Sequence, residues 1–161
     1  AEQAQEAAFN VLHLRAEEDW QEHCKVWMTL PDGVHRDNCI NNTMTVANVL
    51  LSEGVDPSVP LYISTGLTRR ELESLRIDND LDDETNRLGR AFQTLFEVFT
   101  VVCKDDVLEL STEWAKSERE VHAAIDYLVS QQAQCFVGNS VSTFSAFLIL
   151  DRHRRGQCAF H

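Results

Sequence analysis

The sequence predicts an α/β domain in which a parallel sheet is covered by helices on both faces. Short apolar runs typical of strands alternate with longer amphipathic segments along all 161 residues. No Asn-Gly hairpin turn joins two candidate strands, and parallel strands need a crossover connection, which is usually a helix. Neither an internal repeat nor a linker divides the chain. We therefore expect one Rossmann-like domain over residues 1–161.

The first half of the chain predicts two strands and three helices. The strand candidates are apolar runs, and the second of them is preceded by two prolines and ends in small residues. Trp20 and Cys24 stand at helical spacing in the first helix, Pro31 opens the turn behind it, and Thr68 can cap the third helix. In chain order these elements are strand 9–16, helix 17–30, helix 41–52, strand 59–66 and helix 69–77.

The second half repeats the alternation after an acidic loop at 78–84, whose Asp-x-Asp start we interpret as solvated rather than metal-binding. Val121, Ile125 and Leu128 belong to one apolar stripe of a helix. Arg152 and its cationic neighbours are typical of a helix C-terminus. In chain order the elements are helix 84–95, strand 96–103, helix 117–132, strand 135–139, helix 143–154 and strand 157–161.

The charge balance argues against two classes of partner. Lys and Arg total 14 against 26 Asp and Glu, which gives a formal net charge of −12. Proteins that bind nucleic acid or anionic membranes need a basic surface. No apolar stretch reaches membrane-spanning length, and the first residues have neither a basic start nor a signal-like core. We expect no nucleic-acid partner and no membrane segment in this chain, and a site for an anion must be built from a few placed donors.

The five cysteines predict no metal site. They form no C-x-x-C pair and have no histidine at zinc-ligand spacing. Cys103 and Cys135 lie inside apolar runs, which favours buried thiols. Cys24, Cys39 and Cys158 lie nearer the ends of segments and could form disulfides.

A candidate phosphate site follows the strand at 135–139. In a parallel sheet, ligands bind beyond the carboxyl ends of the strands. Ser142 and Thr143 fall at the first turn of the next helix, where free backbone N–H groups and a partial positive charge can hold a phosphate. Hydroxyls there add donors, and Gly138 next to Asn139 permits close approach of the backbone. An ordinary helix cap explains the same hydroxyl residues equally well.

A second candidate lies at the end of the first strand, where alternation places His13 and Arg15 on the same face as Val11. An arginine is always charged and can grip a phosphate with two N–H groups. The alternative is a surface ion pair between Arg15 and Glu17 or Asp19.

Asp126 is a third candidate, because it interrupts an apolar part of the helix before the strand at 135–139. Its carboxylate could accept two donors from the edge of a guanine. A place on the solvated side of an amphipathic helix is the alternative. No G-x-S-x-G, P-loop or G-x-G-x-x-G motif marks another kind of site.

Two blocks of the sequence resemble the characteristic motifs of the GDP-fucose protein O-fucosyltransferase superfamily. The first, FNVLHLRAEEDW at 9–20, contains a His-x-Arg motif after a strand. The second, AIDYLVSQQAQCFVGNSVSTFSA at 124–146, contains the Gly-Asn-x-x-Ser-Thr-Phe block, with an acidic residue about ten positions before Phe136. The middle of the chain, roughly 24–114, matches only in general α/β character.

The resemblance implies a GT-B enzyme, in which two Rossmann-like domains face each other, and this chain is similar to the carboxyl-terminal half that holds GDP-fucose. The family transfers fucose to a protein or glycan acceptor with inversion and requires no metal. Carried over, Arg15 contacts the β-phosphate and the glycosidic oxygen as the catalytic residue, His13 helps to bind the nucleotide, and Asp126 reads guanine. The residues of the late block that bind the GDP-sugar are Gly138, Asn139, Ser142, Thr143 and Phe144.

Departures from the family pattern concern the donor sugar and the rest of the enzyme. The strand YISTGL lacks the acidic residue of many relatives, and Gln134 stands where Asp is common, which leaves the sugar preference open. Only eight residues precede Phe9. We therefore expect the amino-terminal acceptor-side domain to be missing and the isolated chain to have little or no transferase activity. The family and a sequon at Asn41 imply the lumen of the endoplasmic reticulum or Golgi.

Two other functions stay open. One is a non-catalytic nucleotide- or glycan-binding module that kept the fold and lost transfer. The other is a different α/β enzyme whose phosphate site converged on the same use of a helix terminus. Preference for a nucleotide other than guanine would favour the latter.

Overall fold

The computed structural model describes residues 8–27, 29, 44–74, 94–108, 119–139 and 141–160. Within them, five strands form one parallel sheet in the order β3-β2-β1-β4-β5. The predicted Rossmann-like α/β class is confirmed, and the strand order reverses between β1 and β4. The strands are β1 (Asn10–His13), β2 (Leu61–Ser64), β3 (Val101–Val102), β4 (Cys135–Val137) and β5 (Cys158–Phe160).

Helices lie between the strands, as parallel pairing requires. Those with described residues are α1 (Glu18–Trp27), α2 (Met44–Ser52), α3 (Arg69–Ser74), α4 (described at 94–98), α5 (Lys104–Val107), α6 (Arg119–Gln132) and α7 (Thr143–Arg154). The bounds of α7 agree with the prediction. None of the helices in the described ranges is long and apolar enough to cross a bilayer.

Alternation along the strands separates two apolar cores, one on each face of the sheet. The first contains Val11, Phe136 and Ala159 and is covered by α6 and α7. The second contains Leu12 and Ile63 and is covered by α2, α3 and α4. Helices therefore cover both faces, as predicted, and the face shared by Val11 and His13 is the one that α7 covers.

The third strand differs from the prediction. Residues 94–98 are helical, and the strand itself is only Val101–Val102. The Phe99 N–H donates to the Leu95 carbonyl at 2.9 Å, so the apolar run ends a helix before it becomes a strand. An apolar run of this length does not by itself distinguish a buried helix end from a strand. The sequence also does not predict α5.

Capping of α3 agrees with the prediction. The Thr68 hydroxyl accepts the Glu71 backbone N–H at 3.2 Å, and the Glu71 carboxylate accepts the Thr68 N–H at 2.7 Å. This reciprocal pair is a capping box. It begins α3 directly behind the loop that leaves β2.

Arg152 lies in the last turn of α7, as predicted, but it is not an exposed helix-terminal cation. Its side chain is 1% exposed and donates five hydrogen bonds to backbone carbonyls at 2.8 to 3.3 Å. Four of these carbonyls lie at the end of α6 and in the turn to β4, and the fifth belongs to Cys158 in β5. Arg152 thus donates to carbonyls at the end of α6 that have no partner within their own helix. Its side chain joins α6, α7 and β5.

Of the two cysteines that we predict to be buried thiols, one is a thiol and the other forms a disulfide. Cys103 is a buried free thiol, as predicted. The prediction for Cys135 is wrong, since it forms a disulfide with Cys158 across the paired strands β4 and β5. An apolar neighbourhood does not distinguish a buried thiol from a cysteine that forms a disulfide, whereas strand register does. Cys24 is also disulfide-bonded. The predicted features at Pro31, Cys39, the Asn41 sequon and the acidic loop lie outside the described residues.

Candidate functional site

A cleft of about 420 Å³ opens at the carboxyl edge of the sheet. Its walls are the loops that leave β1, β2 and β3, the amino-terminal half of α6, and the start of α7. This edge includes the point between β1 and β4 where the strand order reverses, which is where ligands bind in open α/β sheets. The predicted site residues among its lining are His13, Arg15, Asp126, Ser142 and Phe144.

A hydrogen bond between His13 and Ser145 joins the end of β1 to the first turn of α7. The Ser145 hydroxyl lies 2.7 Å from His13 Nδ1 and accepts the Asn139 backbone N–H at 2.9 Å. Gly138 makes this close packing possible, because a Cβ added there would lie 2.7 Å from the Ser145 Cβ and 2.8 Å from its hydroxyl. The glycine therefore makes room for a side chain of α7, and Ser145 in turn holds the imidazole.

The imidazole of His13 is held in its neutral form. Its pKa is lowered to about 4, chiefly by burial and also by the positive charge of Arg15, while the carboxylate of Glu17 acts in the opposite direction. A neutral ring has one N–H donor and one acceptor. If the Ser145 hydroxyl donates to Nδ1, the ring keeps Nε2–H as a donor for a ligand without adding a charge to the cleft.

Arg15 is already engaged by two acidic side chains. Its Nε donates to Glu17 at 3.1 Å, its Nη2 donates to Asp19 at 3.0 Å, and its guanidinium lies 5.0 Å from the centre of the Trp20 ring. Both ion pairs considered as alternatives from the sequence are therefore present. The side chain is 22% exposed and lines the cleft, so it is oriented by its partners and still accessible.

Glu17 connects two of the loops that form the cleft. One carboxylate oxygen accepts bonds from Arg15 and from the Ala16 backbone, and the other accepts the Gly66 backbone N–H at 2.8 Å. A Cβ on Gly66 would lie 2.9 Å from that second oxygen. Gly66 thus allows Glu17 to contact the loop after β2, and Glu17 in turn holds the Arg15 side chain beside that loop.

Asp126 lies at the inner wall of the cleft and is 5% exposed, so a position on the solvated side of α6 is excluded. One carboxylate oxygen accepts the Tyr62 hydroxyl at 2.6 Å, and the other accepts the Lys104 ammonium at 2.8 Å. Burial raises the pKa of Asp126, and the bonds from Lys104 and Tyr62 act against that rise. The pKa of Tyr62 is raised by its own burial and by the neighbouring carboxylate.

The amino terminus of α7 begins at the cleft. Ser142 is the N-cap residue, but its hydroxyl makes no capping bond to the helix, although the residue is only 8% exposed and lines the cleft. Asn139 shapes the approach to the helix, since its side-chain oxygen accepts the Val141 N–H at 3.1 Å. Thr143 is exposed and does not line the cleft. An ordinary side-chain cap therefore does not account for Ser142.

A model of the family described as GDP-fucose protein O-fucosyltransferase matches residues 2–155. The chain belongs to this family. O-fucosyltransferase 23 from Arabidopsis thaliana is 26% identical over 149 residues, which cover 92% of this chain and 30% of that relative. The chain thus spans less than a third of the relative.

Two solved structures of POFUT1 in complex with GDP also align with the chain. One covers 94% of this chain and 41% of its own, with 16% identity and a TM-score of 0.47. The other covers 94% and 42%, with 17% identity and a TM-score of 0.46.

Only some of the residues that carry the family motifs line the cleft. Phe144 lines the cleft and packs against His13, with ring centres 4.6 Å apart. Gly138, Asn139 and Thr143 adjoin the cleft without lining it, and the first two act through Ser145.

The sequence did not identify Lys104, Tyr62 and Ser145 as residues of the site. Lys104 follows β3 by two residues, so the rule that ligands bind beyond strand ends could have found it. Nothing in the sequence near Tyr62 indicates its bond to Asp126, 64 positions away.

Proposed function

We propose that the chain is the donor-binding half of a GT-B O-fucosyltransferase, which transfers fucose from GDP-fucose to a protein or glycan acceptor with inversion and without a metal. The observation that carries the proposal is the convergence of His13, Arg15, Asp126, Ser142 and Phe144 on one cleft at the switch point of the sheet. A second domain of the same enzyme would supply the acceptor side, and the isolated chain would bind the donor with little or no transfer.

The diphosphate of GDP would lie between Arg15 and the start of α7. The twelve-residue helix α7 presents its N-terminal backbone there, and the buried Ser142 hydroxyl adds a donor. To meet a phosphate with two N–H groups, Arg15 would release Asp19, whose side chain is 47% exposed and lies 3.6 Å from Arg119. An exposed ion pair of this kind costs little to break.

Arg15 would be the catalytic residue of transfer. As the bond between the fucose anomeric carbon and the β-phosphate oxygen breaks, negative charge develops on that oxygen, and a fixed guanidinium stabilises it. The acceptor hydroxyl would attack the anomeric carbon from the opposite face, which gives inversion; the bonding pair would leave with the β-phosphate oxygen of GDP, and the hydroxyl proton would pass to solvent. With the guanidinium of Arg15 in the cleft, positive charge is available from a side chain, and addition of EDTA or Mg²⁺ tests whether a metal is needed.

The guanine base would be read by Asp126, with Phe144 as an apolar flank. Guanine presents two adjacent N–H donors, and a carboxylate can accept both. His13 would contribute a neutral donor to the nucleotide.

A lumenal location in the endoplasmic reticulum or Golgi fits the same proposal. The Cys135–Cys158 disulfide is of the kind that persists in oxidising compartments.

Calorimetric titration of the chain with GDP, GDP-fucose, GDP-mannose and UDP, each with EDTA and with Mg²⁺, tests the donor site. We expect metal-independent, guanine-selective binding that weakens about tenfold or more in Arg15→Ala, since a charge-assisted bond is lost. The matched control is Arg154→Ala, an exposed arginine at the far end of α7. Equal affinities in the two variants would contradict the role of Arg15.

One observation favours the alternative of a non-catalytic binding module, namely that Arg15 already has two acidic partners. The alternative predicts GDP binding in the chain and no fucose transfer by the protein that carries both domains. Measuring transfer from GDP-fucose by that longer protein decides between them.

A further inference from the structure

The carboxylate of Asp126 is held by two donors from different parts of the chain. Tyr62 comes from β2, Lys104 begins α5 directly behind β3, and Asp126 projects from α6. Their contacts are 2.6 Å from the Tyr62 hydroxyl to one oxygen and 2.8 Å from the Lys104 ammonium to the other. The side chains of Lys104 and Asp126 are 11% and 7% exposed, so this is a buried ion pair rather than a surface contact.

A second set of contacts fixes the position of Lys104. Arg69 of α3 donates to both oxygens of Asp106 in α5 and also donates to the Val101 carbonyl of β3 at 2.7 Å. The Asp106 carboxylate in turn accepts the Cys103 backbone N–H at 2.7 Å. Because these bonds tie the start of α5 to β3 and α3, Lys104 approaches Asp126 from a fixed backbone.

The two donors leave acceptor capacity on the carboxylate. Each carboxylate oxygen has two lone pairs, and Tyr62 and Lys104 use one on each. One acceptor direction per oxygen is therefore left for the N1–H and the 2-amino group of a guanine in the cleft. Without the two donors, a buried carboxylate would gain a proton or turn away, and a protonated carboxyl offers fewer acceptor sites.

We propose that Lys104 and Tyr62 are positioning residues that keep Asp126 ionised and oriented, and that they thereby set the selectivity of the cleft for guanine. This inference rests on the proposed function, in which Asp126 reads the base. Neither residue needs to touch the nucleotide, and Lys104, which lines the cleft, acts through the oxygen that it holds.

Several titratable groups face this cluster. His122 lies on α6 one turn before Asp126, Asp105 follows Lys104 on α5, and the free thiol Cys103 lies near Tyr62. Burial raises the pKa of Asp126 and Lys104 opposes it, so removal of Lys104 raises that pKa further. As the pH falls, a Lys104 variant should therefore lose guanine recognition at a higher pH than the unchanged chain does.

The test compares GDP with inosine diphosphate, which lacks the 2-amino group, by calorimetry between pH 5.5 and 8.5. We expect the 161-residue chain to prefer GDP by about tenfold or more, as one hydrogen bond to a charged acceptor allows. In Lys104→Met the ratio of the affinity for GDP to that for inosine diphosphate should fall towards one at low pH and recover in part at high pH. In Tyr62→Phe it should fall severalfold, because one oxygen loses its donor.

Asp126→Asn separates this inference from the proposed function. Loss of the preference in Asp126→Asn, together with its retention at every pH in both Lys104→Met and Tyr62→Phe, would overturn the positioning role alone. Retention in Asp126→Asn would overturn the reading of guanine by Asp126. Should Lys104→Met fail to fold by circular dichroism, Tyr62→Phe decides, since it removes only a hydroxyl from a ring that packs in the core.

Discussion

Replacement of Arg152 by alanine should destabilise the fold more than removal of any exposed arginine. The guanidinium is buried and meets backbone carbonyls at the end of α6, in the turn to β4 and in β5. In Arg152→Ala these carbonyls lose their donor, and the position of the long side chain becomes a cavity. The same change loosens α6, which carries Asp126, from α7, whose N-cap residue is Ser142.

The magnitude follows from the contacts. Three of the bonds are short, at 3.0 Å to Cys158, 2.9 Å to Ser130 and 2.8 Å to Ala133, and the other two are 3.2 and 3.3 Å. At about 1 to 1.5 kcal/mol for each short bond, the free energy of unfolding falls by about 3 to 4.5 kcal/mol. For a chain of this length that corresponds to a decrease in Tm of about 6 to 18 °C.

Thermal unfolding followed by circular dichroism measures the effect, with Arg154→Ala as the exposed control. Arg154→Ala should stay within about 0.5 kcal/mol of the unchanged chain. Arg152→Lys keeps the charge but offers one donor group in place of a planar fork, so its Tm should lie between the two. If Arg152→Ala unfolds at the temperature of Arg154→Ala, the reasoning about buried carbonyls is refuted.

Three further predictions concern the cleft. Gly138→Ala should lower the free energy of unfolding by about 1 to 3 kcal/mol, because the new Cβ would lie 2.7 Å from that of Ser145; denaturant titration measures it, and an unchanged midpoint would contradict it. Asp19→Asn should raise GDP affinity by about twofold to fivefold, because the charged partner of Arg15 Nη2 is removed. Calorimetry measures the affinity, and weaker binding would contradict the idea that Asp19 competes with the diphosphate for Arg15. The pKa of His13 is lowered to about 4, so the unfolded chain binds the extra proton between that value and 6.5, and stability should fall by about 2 to 3 kcal/mol as pH drops through this range. His13→Asn should flatten that part of the profile of unfolding free energy against pH.

Much of the fold could be predicted because its signals are local. The spacing of apolar residues identified α6, the hydroxyl residue before α7 marked its start, and Thr68 marked the start of α3. The run at 96–103 misled because buried helix ends and buried strands have the same apolar composition. There, burial of Leu95, Phe99 and Val101 in one apolar core accompanies the change from helix to strand, and periodicity does not mark that change.

The candidate site could be predicted in part. His13 and Arg15 were found from alternation along β1, and Ser142 from its place behind β4, since each rule refers to a few neighbouring residues. Lys104 and Tyr62 were missed because their importance comes from contacts with Asp126, which lies 22 and 64 positions away.

By itself, the sequence determined the α/β class, the order of the five strands along the chain, and the family motifs at its two ends. Those properties depend on hydrophobic period, capping and short motifs, which act over a few residues. Only the tertiary structure decided that Arg152 is a buried cap for another helix, that Cys135 pairs with Cys158, and that Asp126 is held between two donors. Each of these depends on which strands become neighbours, and that is determined by the packing of the whole sheet.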